Sequence, residues 1–395
     1  MKKIIIAILI LTLLYGLSGC DKFIGNFNQT TELTQQAPNT TENSMPVTTN
    51  PPQQLPMLAV NLPISVQTET ADDGTEIYTH TYQDINMIVT DPEIADKIII
   101  EFLNRTDLQS TISSIHASAL QAYTQDKSSF IPYWTQIQYD PVRIDSSILS
   151  LSGGYTQYSG GAHAMHTYKA VTYDLISGNV LNLNDIINAD VNQTALCDLV
   201  LQALTTQKDA LYMGYETTIK EHFAKPLGNI DNWCLTGTGL CFGFSPYEIG
   251  PYTSNTILAE IPYKNLSGIL QDAYFPAERN AMPGNIDADI FDEKSSENFS
   301  QFAEIVLTKG GEKIVLYTNS IVYDICIETG EMSADGSTFN ADHTVFAAYT
   351  LTPGDGIMIQ SSFDNTLPNL RLSYTTAGET VQKFISVDNG IVTLK

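Results

Sequence analysis

Two kinds of hydrophobic pattern divide the chain between residue 58 and its C-terminus. In the first part, segments with apolar residues at alternate positions are interspersed with segments in which they recur every three or four positions. Alternation indicates strands that bury one face, whereas the wider spacing indicates helices that bury one stripe. Because strands and helices do not alternate strictly, as they do in parallel sheets, we predict an α+β fold of mostly antiparallel sheet with packed helices.

The first elements of this part have the clearest signals. Residues 64–70 and 76–89 indicate strands joined by a hairpin turn at Asp72-Asp73-Gly74. Thr90-Asp91-Pro92-Glu93 then combines an N-cap, a proline at the first helical position and an acidic first turn. The apolar residues that follow predict one long helix: Ile94, Ile98, Phe102, Leu108, Ile112, Ile115, Ala119 and Tyr123.

The same patterns continue to about residue 275. They predict strands over residues 143–151, 155–158, 168–175 and 257–262, and a hairpin over residues 233–244. They also predict a helix that is capped by Asp190 and buries Leu196, Leu199, Val200, Ala203 and Leu204.

The pattern changes beyond residue 276, where Pro283-Gly284-Asn285 and scattered acidic residues interrupt the apolar rhythm. After this interruption the chain consists almost entirely of short β runs separated by glycine-rich turns. We therefore expect residues 290–395 to form a small all-β sandwich or barrel domain behind the α+β part.

The N-terminus has the pattern of an export signal. Lys2 and Lys3 precede an apolar run over residues 4–14, and Leu17-Ser18-Gly19-Cys20 resembles the bacterial lipobox. We predict a lipoprotein signal peptide over residues 1–19 and a lipid anchor on Cys20, on the extracytoplasmic face of the cell membrane. An ordinary cleaved signal of a secreted protein is the alternative. Residues 20–57 are rich in Thr, Gln, Asn and Pro, which predicts a disordered linker.

Charge restricts the class of partner. The 395 residues include 19 Lys and Arg against 44 Asp and Glu, a formal charge of −25. Loss of Lys2 and Lys3 leaves 17 basic residues against 44 acidic ones, so the mature chain carries −27. Nucleic acid is excluded as a general partner, because its recognition requires Lys and Arg to displace phosphate counterions.

Two stretches resemble a known family of extracytoplasmic modules. The first contains Tyr158-Ser159-Gly160-Gly161-Ala162-His163, Tyr173-Asp174-Leu175 and residues 177–186; the second contains Trp233-Cys234-Leu235-Thr236, Gly239-Leu240, residues 244–252 and Ile261-Pro262-Tyr263. In order and spacing they resemble the "GGAH … FDL-x-TGK-x-L-x-L-x-D" and "YLT-x-x-GL-x-F-x-F-x-PYEIAPY … IPY" blocks shared by RsiV-type anti-sigma factors and PdaC-type peptidoglycan deacetylases. The resemblance implies a PdaC-like half over residues 58–165 and an RsiV-like half over residues 166–278.

The resemblance also bounds the expected function. No deacetylase domain follows the module in this sequence, and the part before Cys20 is a signal, so neither an enzyme nor a sigma-factor antagonist is indicated. Binding or sensing without a cofactor is what remains. The family implies a lysozyme-like muramidase, a basic protein, as the partner. Peptidoglycan or another glycan is the alternative, and a cell-wall hydrolase or deacetylase is disfavoured.

The candidate ligand-binding residues lie in two segments. Tyr158, Gly160, Gly161 and His163 belong to the first resembling stretch, and Tyr247, Glu248 and Tyr252 to the second. Aromatic residues beside prolines suit the binding of sugar rings or of a protein hot spot. Glu248 has an alternative interpretation, in which its carboxylate accepts backbone amide hydrogens of its own loop.

Other combinations of reactive residues carry weaker signals. His163 and His166 are spaced as half a zinc site, and Ser159, His163 and Asp174 as a hydrolase set without a nucleophile elbow, so we predict neither metal nor catalysis. Asn285, Asp287 and Asp289 imitate a calcium loop, but Ile290 occupies its glycine position. Cys234 and Cys241 face each other if the hairpin loop has two residues and lie on opposite faces if it has three, which leaves a disulfide open.

Overall fold

The computed structural model describes residues 57–103, 106–277, 279, 283–363 and 368–395. The predicted signal peptide, Cys20 and the linker up to residue 56 lie outside the described residues. Strands and helices occur together throughout the part up to residue 277, and strands dominate beyond it, which confirms the predicted fold class. Within the described ranges, no helix combines the length and apolar character needed to cross a bilayer.

The elements have the following bounds. The strands are β1 (Ala59–Asn61), β2 (Ile64–Thr70), β3 (Glu76–Gln83), β4 (Asn86–Ile88), β5 (Tyr133–Ile144), β6 (Ile148–Tyr158), β7 (Met165–Asp174), β8 (Trp233–Leu235), β9 (Gly239–Phe244), β10 (Ile257–Pro262), β11 (Ile286–Ile290), β12 (Gln301–Val306), β13 (Glu312–Thr318), β14 (Val322–Met332), β15 (Phe339–Leu351), β16 (Asp355–Ser361), β17 (Leu370–Thr376), β18 (Glu379–Asp388) and β19 (Ile391–Leu394). The helices are α1 (Pro92–Leu103), α2 (Thr106–Gln125), α3 (Leu183–Ile186), α4 (Gln193–Leu204) and α5 (Tyr215–His222).

The first sheet has the order β2-β3-β5-β6-β7. Its pairs are antiparallel except β3 with β5, which are parallel because α1 and α2 form the crossover between them. The predicted long helix corresponds to α1 and α2, and residues 104 and 105 between them lie outside the described residues. The apolar stripe of α1, with Ile98 and Phe102, packs in a different core cluster from that of α2, with Ile115 and Ala119.

Two local predictions need correction. The predicted strand over residues 143–151 contains a turn, because the Asp145 carboxylate accepts hydrogen bonds from the backbone N–H groups of Ser147 and Ile148, both of 2.9 Å. β5 therefore ends at Ile144 and β6 begins at Ile148. The cap of α4 is Asn192, whose side chain accepts a hydrogen bond of 2.9 Å from Thr194 N, instead of Asp190.

The second core lies between α4 and the three-stranded sheet β10-β9-β8. Leu196, Val200 and Leu204 of α4 are fully buried there, as their helical spacing predicts. This small sheet also packs on β7, and its Gly243 lies against the buried Tyr168 ring: a Cβ at residue 243 would lie 2.0 Å from that ring. Gly243 thereby permits the two sheets to approach each other closely.

The C-terminal strands form a β-sandwich. A seven-stranded sheet, β19-β18-β17-β14-β15-β1-β4, packs against a four-stranded sheet, β11-β13-β16-β12. Residues of both sheets share one core, with Ile305, Ile314 and Ile359 from one side and Ile327 and Leu372 from the other. The predicted short β runs are present as the eight strands β12 to β19, and β11 is an additional strand that sequence patterns did not indicate.

The N-terminal strand β1 belongs to the sandwich although it starts the α+β part. It pairs with β15, with Ala59 opposite Ala348 and Val60 opposite Ala347. Because side chains alternate along a strand, Ala59 lies in the sandwich core, whereas Val60 lies in the core of the first sheet together with Ala347. β1 and β15 therefore connect the two cores directly.

Candidate functional site

Three aromatic rings of two separate loops form a stack at the protein surface. His163 lies in the loop between β6 and β7, while Tyr247 and Tyr252 lie in the loop after β9. The His163 and Tyr252 ring centroids are 4.0 Å apart at an interplanar angle of 28°, and those of Tyr252 and Tyr247 are 5.9 Å apart at 29°. We call His163, Tyr252 and Tyr247 the ring stack.

A backbone carbonyl fixes the ring stack. Tyr252 Oη donates a hydrogen bond of 2.8 Å to Ala164 O, and His163 Nδ1 lies 2.9 Å from the same oxygen. Since a carbonyl only accepts, His163 Nδ1 is the donor to this oxygen, which leaves Nε2 on the other side of the ring. Tyr247 Oη lies 3.5 Å from that Nε2. The two loops are therefore held in one arrangement before any ligand binds.

Tyr247 occupies the outermost position of the ring stack. Its residue is 49% exposed, and its φ of 73° is in the left-handed region that only glycine adopts without strain. A hydrogen bond of 2.9 Å from Tyr247 N to Gly250 O closes the turn that imposes this conformation. Such strain persists only where the surrounding structure enforces it, and it concentrates at functional sites.

Glu248 stabilises the same turn. Its carboxylate accepts a hydrogen bond from Ser245 N, and its own N–H donates to Ser245 O over 3.1 Å. The loop partly desolvates the carboxyl and so raises the pKa of Glu248, while the hydrogen bond from Ser245 lowers it. The structure therefore shows the loop-fixing arrangement that was the alternative interpretation of Glu248.

A third loop, which the sequence patterns did not indicate as functional, lies beside the ring stack. Tyr212 N donates a hydrogen bond of 2.8 Å to Ile249 O, and Ser254 Oγ donates one of 2.8 Å to Ala210 O. Gly250 permits this approach, because a Cβ there would lie 2.4 Å from Ala210 O. The side chain of Met213 is fully exposed at the tip of this loop, and Tyr212 is exposed beside it. We call the ring stack together with Tyr212 and Met213 the aromatic surface.

The other candidate residues of the first segment, Tyr158, Gly160 and Gly161, lie outside the ring stack, and the first two pack against Tyr133. Tyr158, at the end of β6, contacts the Tyr133 ring edge-on with centroids 6.1 Å apart. Gly160 has a φ of 86°, and a Cβ there would lie 2.5 Å from Tyr133 Oη. Gly161 is exposed, and its nearest neighbour is His163 O, 3.7 Å from an added Cβ. Of the predicted ligand-binding residues, the structure thus brings together His163, Tyr247 and Tyr252, with Glu248 supporting them.

The structure does not bring together the residues of the hydrolase set or of the histidine pair. Ser159 and His163 precede β7 and Asp174 ends it, so roughly 30 Å of strand separates them. The Asp174 carboxylate accepts hydrogen bonds from Ile176 N (2.8 Å) and Ser177 Oγ (2.7 Å). His166 lies on β7 with its Nδ1 3.0 Å from Thr156 Oγ1, apart from the ring stack. In the described part of the chain, no group of three or more His, Cys, Asp or Glu residues has a metal-binding arrangement.

The register of the hairpin answers the question left open for its cysteines. Thr236 N donates a hydrogen bond of 2.8 Å to Gly239 O, so the loop has two residues, Gly237 and Thr238. Cys234 and Cys241 are therefore directly opposite each other, both buried and both in the thiol form.

Comparison with known proteins gives a family for part of this region. Residues 184–264 match the sequence profile of the family described as "Protein of unknown function (DUF3298)". A DUF3298 family protein from Pseudomonas aeruginosa matches in structure with 19% identity and a TM-score of 0.40, over 56% of this chain and 98% of that chain. A DUF3298 family member from Bacteroides fragilis matches with 18% identity and a TM-score of 0.40, over 54% of this chain and 94% of that chain.

No curated protein matches this chain. The matched segment supplies Tyr212, Met213, Tyr247 and Tyr252 of the aromatic surface, whereas His163 precedes it. Over residues 184–264 the chain is thus similar to the DUF3298 family, whose description names no function.

Proposed function

We propose that this chain is a lipid-anchored, extracytoplasmic recognition protein that binds another protein through the aromatic surface and catalyses no reaction. The observation that carries the proposal is the position of Met213, which is fully exposed beside Tyr212 and hydrogen-bonded through that loop to the turn that holds Tyr247. Methionine and tyrosine are enriched at the centres of protein interfaces, where flexible and rigid apolar side chains exclude water together. A fully exposed methionine on a fixed loop suits that role.

Preorganisation supports the same proposal. The three loops are joined by hydrogen bonds to backbone carbonyl groups, such as those from Tyr252 Oη to Ala164 O and from Tyr212 N to Ile249 O. A partner would therefore not have to order the backbone on binding, which reduces the entropic cost of association. The ring stack would act as an anchor, with Tyr247 and Met213 contacting the partner.

Charge supports a basic partner. The formal charge of −25 favours encounter with a cationic protein and raises its association rate above the unsteered range of about 10⁵ to 10⁶ M⁻¹s⁻¹. The resemblance to RsiV-type modules suggests a lysozyme-like muramidase as that protein. We propose no hydrolytic role, because Ser159, His163 and Asp174 lie at opposite ends of β7.

The test is the binding of the purified full chain to lysozymes of several types on an optical biosensor. We expect association that slows at least about tenfold between low and high salt. Met213→Ala should speed dissociation without changing the melting temperature, whereas Ile100→Ala, at a 60% exposed position on α1, is the matched control and should change neither. If no lysozyme type bound in a salt-sensitive manner, the muramidase partner would be abandoned.

One observation favours a second candidate, a glycan ligand. The ring stack is nearly parallel, and Tyr247 at its end is half exposed, so one ring is available for stacking on a sugar. Pull-down on isolated cell wall distinguishes the two functions. Glycan binding by stacked rings should survive high salt, whereas charge-steered protein binding should weaken.

A further inference from the structure

A groove of about 780 Å³ lies at one side of the β-sandwich, outside the segment similar to the DUF3298 family. It forms where β11, the outermost strand of the four-stranded sheet, comes within 8 Å of β19, the outermost strand of the seven-stranded sheet. The residues that line it are Asp289, Ile290, Asp292, Asn298, Phe299, Val315, Tyr317, Gly390, Ile391 and Val392.

The floor of the groove is aromatic and apolar. The Phe299 and Tyr317 rings are 6.4 Å apart, and Val315 is buried beneath them. Phe299 rests on the sheet at Gly356, because a Cβ at that residue would lie 2.8 Å from its ring. One wall is formed by Ile391, which is 67% exposed. An apolar chain placed along this floor would lose contact with water on one side.

The charges on the groove all have one sign. Asp289 and Asp292 are exposed there, and the lining contains no Lys, Arg or His. Tyr317 Oη donates a hydrogen bond of 2.7 Å to Asp289 Oδ2, which raises the pKa of Tyr317 to about 12 and keeps the hydroxyl protonated. Lys294 and Lys313 do not belong to the lining, and Lys313 Nζ is 6.0 Å from the centre of the Phe291 ring.

We infer that this groove binds a lysine- or arginine-bearing segment of another protein. Carboxylates only accept hydrogen bonds, so Asp289 and Asp292 suit an ammonium or guanidinium group, which only donates. The long aliphatic stem of such a side chain would lie on Phe299 and against Ile391, and its cationic end would also gain from the aromatic face.

An extended peptide fits this groove better than a small free amine. β11 and β19 are the end strands of two different sheets, so each has one edge without a partner strand among the described residues. A peptide strand can pair with such an edge while its side chains occupy the floor. The volume of about 780 Å³ lies in the range of sites that enclose a ligand of roughly drug size, about 300 to 1,000 Å³, rather than a single small amine.

The experiment measures fluorescence anisotropy of a short labelled peptide of alternating lysine and valine with the purified full chain. We expect Asp289→Asn combined with Asp292→Asn to weaken binding at least about tenfold. Ile391→Ser, at a largely exposed position, should weaken it about threefold without unfolding the protein. Glu331→Gln combined with Glu379→Gln removes two exposed carboxylates elsewhere in the sandwich and should change the dissociation constant less than about twofold.

Three results would overturn the inference. The first is a loss of affinity in the control variant, Glu331→Gln with Glu379→Gln, that equals the loss in the groove variant. The others are unchanged binding in the groove variant, Asp289→Asn with Asp292→Asn, and binding of spermidine as tight as that of the peptide. The first would show unspecific charge attraction, and the last a site for small amines. Met213→Ala, on the aromatic surface, should leave peptide binding unchanged, so failure of this inference and failure of the proposed function are distinguishable.

Discussion

Tyr252 Oη donates a hydrogen bond of 2.8 Å to Ala164 O, a residue 88 positions earlier in the chain. This bond joins the loop between β6 and β7 to the loop after β9. It also fixes the ring that lies between His163 and Tyr247 in the ring stack. The aromatic surface is therefore a product of tertiary packing between the first sheet and the three-stranded sheet.

Replacement of Tyr252 tests how strongly this bond orders the surface. Tyr252→Phe keeps the ring and removes the donor, so we expect a loss of about 1 kcal/mol in the free energy of unfolding. Affinity for the proposed partner should fall several-fold, because His163 and Tyr247 lose their common support. Urea titration and biosensor binding measure the two effects. A variant with unchanged affinity would show that the bond does not position the binding residues.

Ionisation of Asp140 should make the free energy of unfolding depend on pH. This residue is buried between the first sheet and the sandwich, where its Oδ1 accepts a hydrogen bond of 3.2 Å from Thr344 N. Burial raises its pKa from 3.8 to about 6, and the Thr344 hydrogen bond opposes the shift. Because the folded-state pKa is the higher one, the stabilisation is complete below pH 3.8 and is lost as the pH rises through 6. The loss is on the order of 3 kcal/mol.

Asp140→Asn isolates this effect, because Asn retains the acceptor for Thr344 N but cannot ionise. We expect the variant to gain stability relative to the wild type as the pH rises from about 4 to 7, with the difference constant above that range. Urea unfolding of both proteins at each pH measures it, and other titrating groups cancel in the difference. A stability difference that did not change with pH would contradict the assignment.

Truncation tests whether the first part needs the pairing of its strand β1 with β15 of the sandwich. A fragment that ends at residue 278 lacks β15, the partner of β1, so Val60 and Leu62 lose the residue Ala347 that shares their core cluster. We expect this fragment to show weak chemical-shift dispersion and a broad thermal transition, whereas residues 57–395 melt cooperatively. A well-dispersed spectrum of the fragment would show that β1 is dispensable for the first core.

The burial of Cys234 and Cys241, which lie opposite each other on β8 and β9, predicts how they react with alkylating reagents. Cys234 and Cys241 are in the thiol form and only 1% and 4% exposed, so iodoacetamide should label them fast only in denaturant. Peptide mapping after native and denaturing labelling measures this, with a reduced sample as the control. A peptide pair that is labelled only after reduction would instead demonstrate a disulfide between them.

Local patterns were sufficient for much of the fold. Short β runs between glycine-rich turns predicted the strands after residue 300, and the spacing of Leu196, Val200 and Leu204 predicted the buried face of α4. The pairing of Ala59 with Ala348 joins residues nearly the whole described chain apart, and no local pattern reports such a contact. β11 was missed because its alternating aspartates, Asp287 and Asp289, imitate a calcium loop.

The candidate site was predicted in part for similar reasons. His163, Tyr247 and Tyr252 were found from their resemblance to family blocks and from the aromatic composition of their segments. Met213 was missed, because a methionine in sequence is typical of a core residue. Its full exposure, and the contact of its loop with Gly250 through Ala210, are visible only in the folded structure.

Amide hydrogen exchange of the full chain, free and saturated with lysozyme, tests the central claim most directly. We predict slower exchange on binding in three segments, residues 159–165, 209–214 and 245–254, which carry the aromatic surface. Exchange in the exposed edge strand β2 should not change. Protection confined to other segments, or no protection in the presence of any lysozyme type, would contradict recognition through the aromatic surface.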